Sequence, residues 1–181
     1  MMKIFYLKLK NNSLIIFDSS WHMPNVHRDA FKEFKHGHIK KSQFFDIDKI
    51  ANKKLNLPHM APNSKIFEKK MQQLGVNSNS IIIVYDTVGI FSSARVWWLF
   101  KYFGHDEVFV MNGGLKKWKK ENKSTDNKKV ITQTSKYKCK EHKELVKNKK
   151  QIDENIDTGK FNVVDARSRE RFEGKVAEPR K

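Results

Sequence analysis

Apolar positions along the first two thirds of the chain fall into short continuous runs and helical repeats that alternate with one another. SLIIFD (13–18) is an aliphatic run closed by Asp18, which is a strand pattern. In SWHMPNVHRDAFKEFKHGHI, Pro24 and Asn25 mark a loop, and RDAFKEFKHG reads as a short helix closed by Gly37. QFFDIDKI (43–50) predicts a strand or strand end, and NKKLNLPHMAPNS, punctuated by Pro58 and Pro62, a loop. Ile66, Phe67, Met71 and Leu74 then recur at helical spacing, with Ser64 as the expected N-cap and Gly75 as the stop. SIIIVYD (80–86) is apolar almost throughout, as in a strand covered by helices on both faces. SSARVWWLFKYFGH predicts a helix ended by Gly104, EVFVMNGG a strand into a double-glycine turn, and LKKWKKEN a further short helix. Strands alternating with helices over about 110 residues predict an α/β fold with a doubly wound parallel sheet.

Beyond residue 121 the pattern collapses. Residues 122–160 are dense in charge and poor in apolar positions, which reads as a linker, with KEHKELVKNKKQIDENI as an exposed helix. FNVVDARSRERF restores a strand and a turn, and FNVVDAR repeats the layout of SLIIFDS near the start. A repeated opening one domain length later predicts an internal duplication. The expected organisation is a first domain over 1–121, a charged linker over 122–160, and over 161–181 the first strand of a second domain, truncated at Lys181.

Composition narrows the class. The chain has 181 residues, 38% hydrophobic and 12% aromatic, enough for one domain with a real core. No apolar run approaches the roughly 20 residues that span a bilayer, and the start shows no signal-peptide pattern, so no membrane partner and a cytoplasmic location are expected. A single cysteine, Cys139, excludes an internal disulfide framework and argues against a Cys-rich metal site; neither a metal nor another cofactor is called for. The net charge of +17 raises a nucleic-acid reading. The lysines are scattered through every segment, however, and Lys, Asn and Ile together are what AT-rich codons yield. A solvated basic surface that binds polyanions without specificity at low salt is the expectation, with no specific nucleic-acid partner.

Candidate chemistry centres on IIIVYDTVGIFSSARVWW. A β-branched run breaking into a glycine-containing turn that opens a helix is the layout of an anion cradle, because the N–H groups of the turn and of the helix start point into the loop. Asp86, itself an anion, stands at its mouth.

RDAFKEFKHGHI, FFDID, LPHMAP, IIVYDTVGIFSSARVWW, FGH, NGGLKKWK and VVDARSRERFEGKVAEPR, in that order, resemble the two-domain rhodanese-type sulfurtransferases, and among them the 3-mercaptopyruvate enzymes more than the thiosulfate ones. One departure is GHIKKS (37–42), where the family carries proline and glycine after GHI. The resemblance implies two domains of one fold facing each other, of which the second holds the nucleophilic cysteine. Asp86 then occupies the first-domain position equivalent to that cysteine and has a structural role. Asp48 in FFDID and His59 in LPHM match residues contributed to a Ser-His-Asp-like relay, in which a carboxylate-oriented histidine manages protons. The alternative is a loop histidine bonded to a nearby carboxylate. Arg171 and Arg180 match the arginines that grip the mercaptopyruvate carboxylate, a task suited to a planar bidentate fork; the alternative is solvated arginines in a charged turn. Arg28, Asp29 and Arg167 read as structural ion-pair residues.

The implied activity moves sulfur from 3-mercaptopyruvate, in preference to thiosulfate, through a cysteine persulfide to cyanide or a thiol acceptor. The relay serine and the nucleophile are expected in a catalytic half that this chain lacks, so the chain alone is expected to be inactive. Cys139 has flanking lysines but no cradle and is not expected to substitute. The competing reading is a catalytically silent rhodanese-like binding module. A phosphatase of the Cdc25 type shares the fold but needs a cysteine in an enlarged loop, which is missing.

Overall fold

The computed structural model describes residues 13–54 and 57–177. Along the chain come β1 (Leu14–Asp18), α1 (Ala30–His36), β2 (His38–Ile39), β3 (Ser42–Phe44), α2 (Ser64–Gln73), β4 (Ile81–Tyr85), α3 (Ser92–Tyr102), β5 (Val108–Val110), α4 (Gly114–Lys120), β6 (Thr125–Asp126), α5 (Lys149–Thr158) and α6 (Arg169–Phe172). The chain divides into two compact units, Met1–Lys143 and Glu144–Lys181.

In the first unit β3, β1, β4 and β5 form a parallel sheet in that order, with Leu14 opposite Ile81 and Asp18 opposite Tyr85 at the centre. The apolar runs are continuous because both faces are covered. Phe17, Ile82 and Val84 pack with Phe67 and Met71 of α2 and with Val96, Leu99 and Phe100 of α3. On the opposite face Ile16 and Tyr85 meet Leu115 and Trp118 of α4. Alternate residues of one strand thus serve two cores, which is what a period-2 backbone between helical layers requires. Aromatic contacts concentrate on the first face, with Phe67 stacked on Phe103 at 4.2 Å and edge-on to Phe100 at 5.4 Å. The short β2 pairs antiparallel with β6 apart from the main sheet.

The expected elements are present with local corrections. Asn63, not Ser64, caps α2: its side chain accepts from the Ile66 N–H, and Ser64 is the first helical residue. The strand over QFFDIDKI stops at Phe44, because Asp46 turns the chain by accepting from the Lys49 N–H through its side chain and from Ile50 through its carbonyl. Within the charged segment, Tyr137 is buried in the first core, and Thr132 and Ser135 hydrogen-bond to main-chain oxygens of Gln73 and Val76. The Tyr137 hydroxyl is buried with no partner among the described residues, and burial pushes its pKa up. Tyr137→Phe is therefore expected to leave stability unchanged or raise it by up to about 1 kcal/mol, since it removes an unsatisfied polar group and keeps the ring; urea unfolding midpoints check this.

His105 is also buried, donating through Nε2 to the Ser80 carbonyl at 2.9 Å, and burial holds its pKa below the ordinary 6.5. Above 6.5 the imidazole is neutral in both the folded and unfolded chain. As pH falls from 6.5 towards the lowered folded value, only the unfolded chain takes up the proton, so stability declines. His105→Gln is expected to flatten that decline in chemical unfolding measured across this window.

In the second unit, α5 opens with a capping box between Asn148 and Gln151. The strand expected over FNVVDAR is not formed: among the described residues no strand of this unit is available to pair with it. A ladder needs a neighbour for its N–H and C=O groups. The Asn155 side chain supplies one at a single residue, bonding both the N–H and the carbonyl of Phe161, while Val163 and Val164 stay 64% and 85% exposed.

Candidate functional site

β1 leads to one side of the sheet and β4 to the other, so the crevice between their C-terminal ends is a topological switch point, where α/β sheets place ligands. The strand ends there are tied together: Ser19 donates its N–H and its hydroxyl to the Tyr85 carbonyl, and the Thr87 N–H donates to the Ser20 hydroxyl. Asp18, buried beneath, accepts from the N–H and hydroxyl of Ser20, and burial raises its pKa.

The loop after β4 closes around Asp86. Its Oδ1 accepts from the Val88 and Gly89 N–H groups at 3.0 and 2.6 Å, and its Oδ2 from the Phe91 and Ser93 N–H groups at 2.8 and 2.9 Å and from the Ser93 hydroxyl at 2.6 Å. Burial alone would raise this pKa, but the Ser93 hydroxyl and the main-chain donors outweigh it and hold the carboxyl below its usual value. Four N–H groups that would otherwise face an external anion are satisfied internally. The Asp86 carbonyl accepts from Leu115, and a Cβ on Gly114 (φ 52°) would stand 2.3 Å from that same oxygen, so the double-glycine turn lets α4 seat directly against the loop. Val88, Ile90 and Phe91 are exposed around it.

Asp48 and His59 meet. His59 Nε2 donates to Asp48 Oδ1 at 2.7 Å, and Trp21 Nε1 donates to Asp48 Oδ2 at 3.2 Å. The Trp21 and His59 rings pack edge-on at 4.7 Å. The His59 side chain is 19% exposed and that of Asp48 62%. The pair is therefore shielded on the imidazole side and wet on the carboxylate side, an arrangement that orients one ring nitrogen. Trp21 and Arg95, whose Nη2 donates to the His59 carbonyl at 2.6 Å, were given no role by sequence reasoning. The only available signal was their proximity to strand and helix ends in SSWH and SSARVWW.

Arg171 lies on α6 of the second unit, where Arg167 first, and Arg171 by its charge, hold Asp165 below its usual pKa. Arg180 lies outside the described residues. Arg28 clasps Glu33 through two bonds of 2.7 Å, Asp29 caps α1 through the Lys32 N–H, and Arg167 pairs with Asp165 at 2.7 Å. Cys139 is half-buried, its Sγ 3.8 Å from the Ser64 carbonyl oxygen, and burial followed by Glu68 pushes its thiol pKa up to about 12. At neutral pH that thiol is protonated, the opposite of what a sulfur nucleophile needs. Among the described residues no group of three or more His, Cys, Asp or Glu side chains is placed to hold a metal, and no helix is long and apolar enough to cross a membrane.

A family model described as the rhodanese-like domain matches residues 6–121, which include Asp48, His59 and the whole Asp86 loop. The chain belongs to the rhodanese family. Thiosulfate/3-mercaptopyruvate sulfurtransferase 1, mitochondrial, of Arabidopsis thaliana is 34% identical over 197 residues, covering 97% of this chain and 52% of that protein. The 3-mercaptopyruvate sulfurtransferase of Mus musculus is 36% identical over 169 residues, covering 92% of this chain and 57% of that one. The crystal structure of SseA from Escherichia coli, described as a 3-mercaptopyruvate sulfotransferase with the rhodanese fold, superimposes with a TM-score of 0.89 at 28% identity, over 98% of this chain and 68% of that chain. This rhodanese chain spans about half the length of the curated relatives it matches.

Proposed function

We propose that this chain contributes the non-catalytic first domain, and the opening of the second, to a sulfurtransferase that takes sulfur from 3-mercaptopyruvate in preference to thiosulfate. The observation that carries the proposal is the Asp48–His59 pair, with Trp21 on the same carboxylate, tied through Arg95 to the helix that leaves the loop filled by Asp86. A thiolate from a catalytic half outside this chain attacks the sulfur of 3-mercaptopyruvate. The carbon–sulfur bond breaks, a cysteine persulfide forms, and the departing enolate of pyruvate takes a proton. His59, with Asp48 fixing its ring, manages that proton; Arg171 and Arg180 hold the substrate carboxylate. The terminal sulfur then passes to cyanide or a thiol, which regenerates the thiolate. With Cys139 protonated and outside any cradle, the chain alone does not turn over.

Sulfurtransferase assays with 3-mercaptopyruvate and with thiosulfate, on this chain alone and on a chain extended by its downstream region, test the proposal. Pyruvate release only by the extended protein is expected. Release by the chain alone, abolished by Cys139→Ser, would overturn the assignment of the nucleophile. The cytoplasm is the proposed compartment, which cell fractionation checks.

A second reading, a catalytically silent binding module, is favoured by one observation: Val88, Ile90 and Phe91 are exposed on a loop whose anion site is already filled. Silence of the extended protein towards both donors would favour it.

A further inference from the structure

His59 has a left-handed backbone (φ 58°), a conformation that a non-glycine residue keeps where its surroundings compel it. Trp21 and Asp48 act on its ring. Its main chain is held from α3, where Arg95 Nη2 donates to the His59 carbonyl at 2.6 Å. The Arg95 guanidinium stands 4.6 Å from the centre of the Trp98 ring, and Trp98 stacks on Tyr102 at 5.3 Å with the planes 10° apart. Positions i, i+3 and i+7 of one helix thereby build a column that orients the guanidinium plane. Among the described residues Arg95 has no carboxylate partner, so this half-buried cation directs a bond onto a neutral main-chain oxygen. A planar fork stacked on an indole delivers a donor in a fixed direction, which a flexible ammonium does not.

We propose that Arg95 is a positioning residue for His59: by anchoring the His59 carbonyl to α3 it keeps the imidazole on Asp48. The inference rests on the proton-handling role proposed for the pair, and it adds a residue that touches neither substrate nor reacting atom. Its first consequence is independent of turnover, because a ring that leaves Asp48 changes its hydrogen bonding whether or not sulfur moves.

Long-range 1H–15N correlation spectra of the histidines in this chain read that change, with His59 assigned by the signals missing from His59→Gln. In Arg95→Met the His59 Nε2 resonance is expected to move at least about halfway to its position in Asp48→Asn. Arg95→Lys, which keeps the charge and loses the fork, is expected to move it in the same direction by less, while His105 stays in place. His59 resonances coincident with wild type in both variants, even with a lowered melting temperature, would leave Arg95 a merely structural residue and overturn the proposal. If Arg95→Met fails to fold, Arg95→Lys decides alone. In the extended sulfurtransferase, Arg95→Lys is expected to lower kcat about tenfold with KM within about twofold of wild type; an unchanged kcat would also overturn it. Undiminished turnover by His59→Ala would instead sink the relay itself and leave the ring measurement to be judged separately.

Discussion

Replacing Asp86 by alanine is expected to cost this chain about 3–5 kcal/mol of folding stability, the range found when one partner of a buried, hydrogen-bonded charge is removed. Asp86 is fully buried, and its two oxygens satisfy four main-chain N–H groups and the Ser93 hydroxyl within eight residues of loop. Without the carboxylate these donors have no acceptor in the positions they occupy. Asp86→Asn is expected to fall between alanine and wild type, since its amide keeps one accepting oxygen and turns an NH2 group towards other donors. Urea unfolding at neutral pH measures both. The same bonds set a pH dependence. The folded pKa lies below 3.8, so the contribution is present in full above 3.8 and is lost as pH falls through the lowered folded value. Asp86→Asn should abolish that part of the acid response. A variant as stable as wild type would mean that the loop re-forms around water, and the cradle would then be open to an external anion.

If the extended protein is the sulfurtransferase proposed, His59→Ala in it is expected to lower kcat by about 10²-fold, the lower end of what a positioned acid–base group supplies. Asp48→Asn should act in the same direction and more weakly, about tenfold, because the carboxylate is largely in water and orients the ring without being buried. Asp48→Asn should leave the unfolding midpoint nearly unchanged, since a pair whose carboxylate lies largely in water contributes about 0–1 kcal/mol, whereas His59→Ala also removes the ring packed on Trp21. That combination in Asp48→Asn, activity lost and stability kept, separates a relay from a loop histidine that happens to bond a carboxylate. A pair that could be removed without slowing pyruvate release would be structural, and the silent-module reading would gain.

Elements whose signal is local were legible. The run SIIIVYD is β4, the repeat of Phe67 and Met71 is α2, and the double glycine before Leu115 is the turn into α4. Each depends on spacing within one segment, which propensity and burial on both faces encode directly. Failures occurred where the outcome depended on a remote partner. FNVVDAR has strand composition but no strand to pair with among the described residues of its unit, and Tyr137, hidden in a charged segment, is buried because the chain returns across α2.

The same division runs through the site. Asp48, His59 and the Asp86 loop were recognisable because FFDID, LPHM and YDTVG each resemble a rhodanese motif within a few adjacent residues. Trp21 and Arg95 became visible only when the fold brought SSWH onto FFDID across 27 positions and α3 onto the histidine loop across 36. Sequence by itself therefore determined the layering and the rhodanese resemblance, and through that resemblance singled out Asp48 and His59 as a pair, since local periodicity and short motifs carry both. The orientation of that pair was decided by the tertiary structure alone, because a hydrogen bond between distant segments depends on how the intervening chain packs.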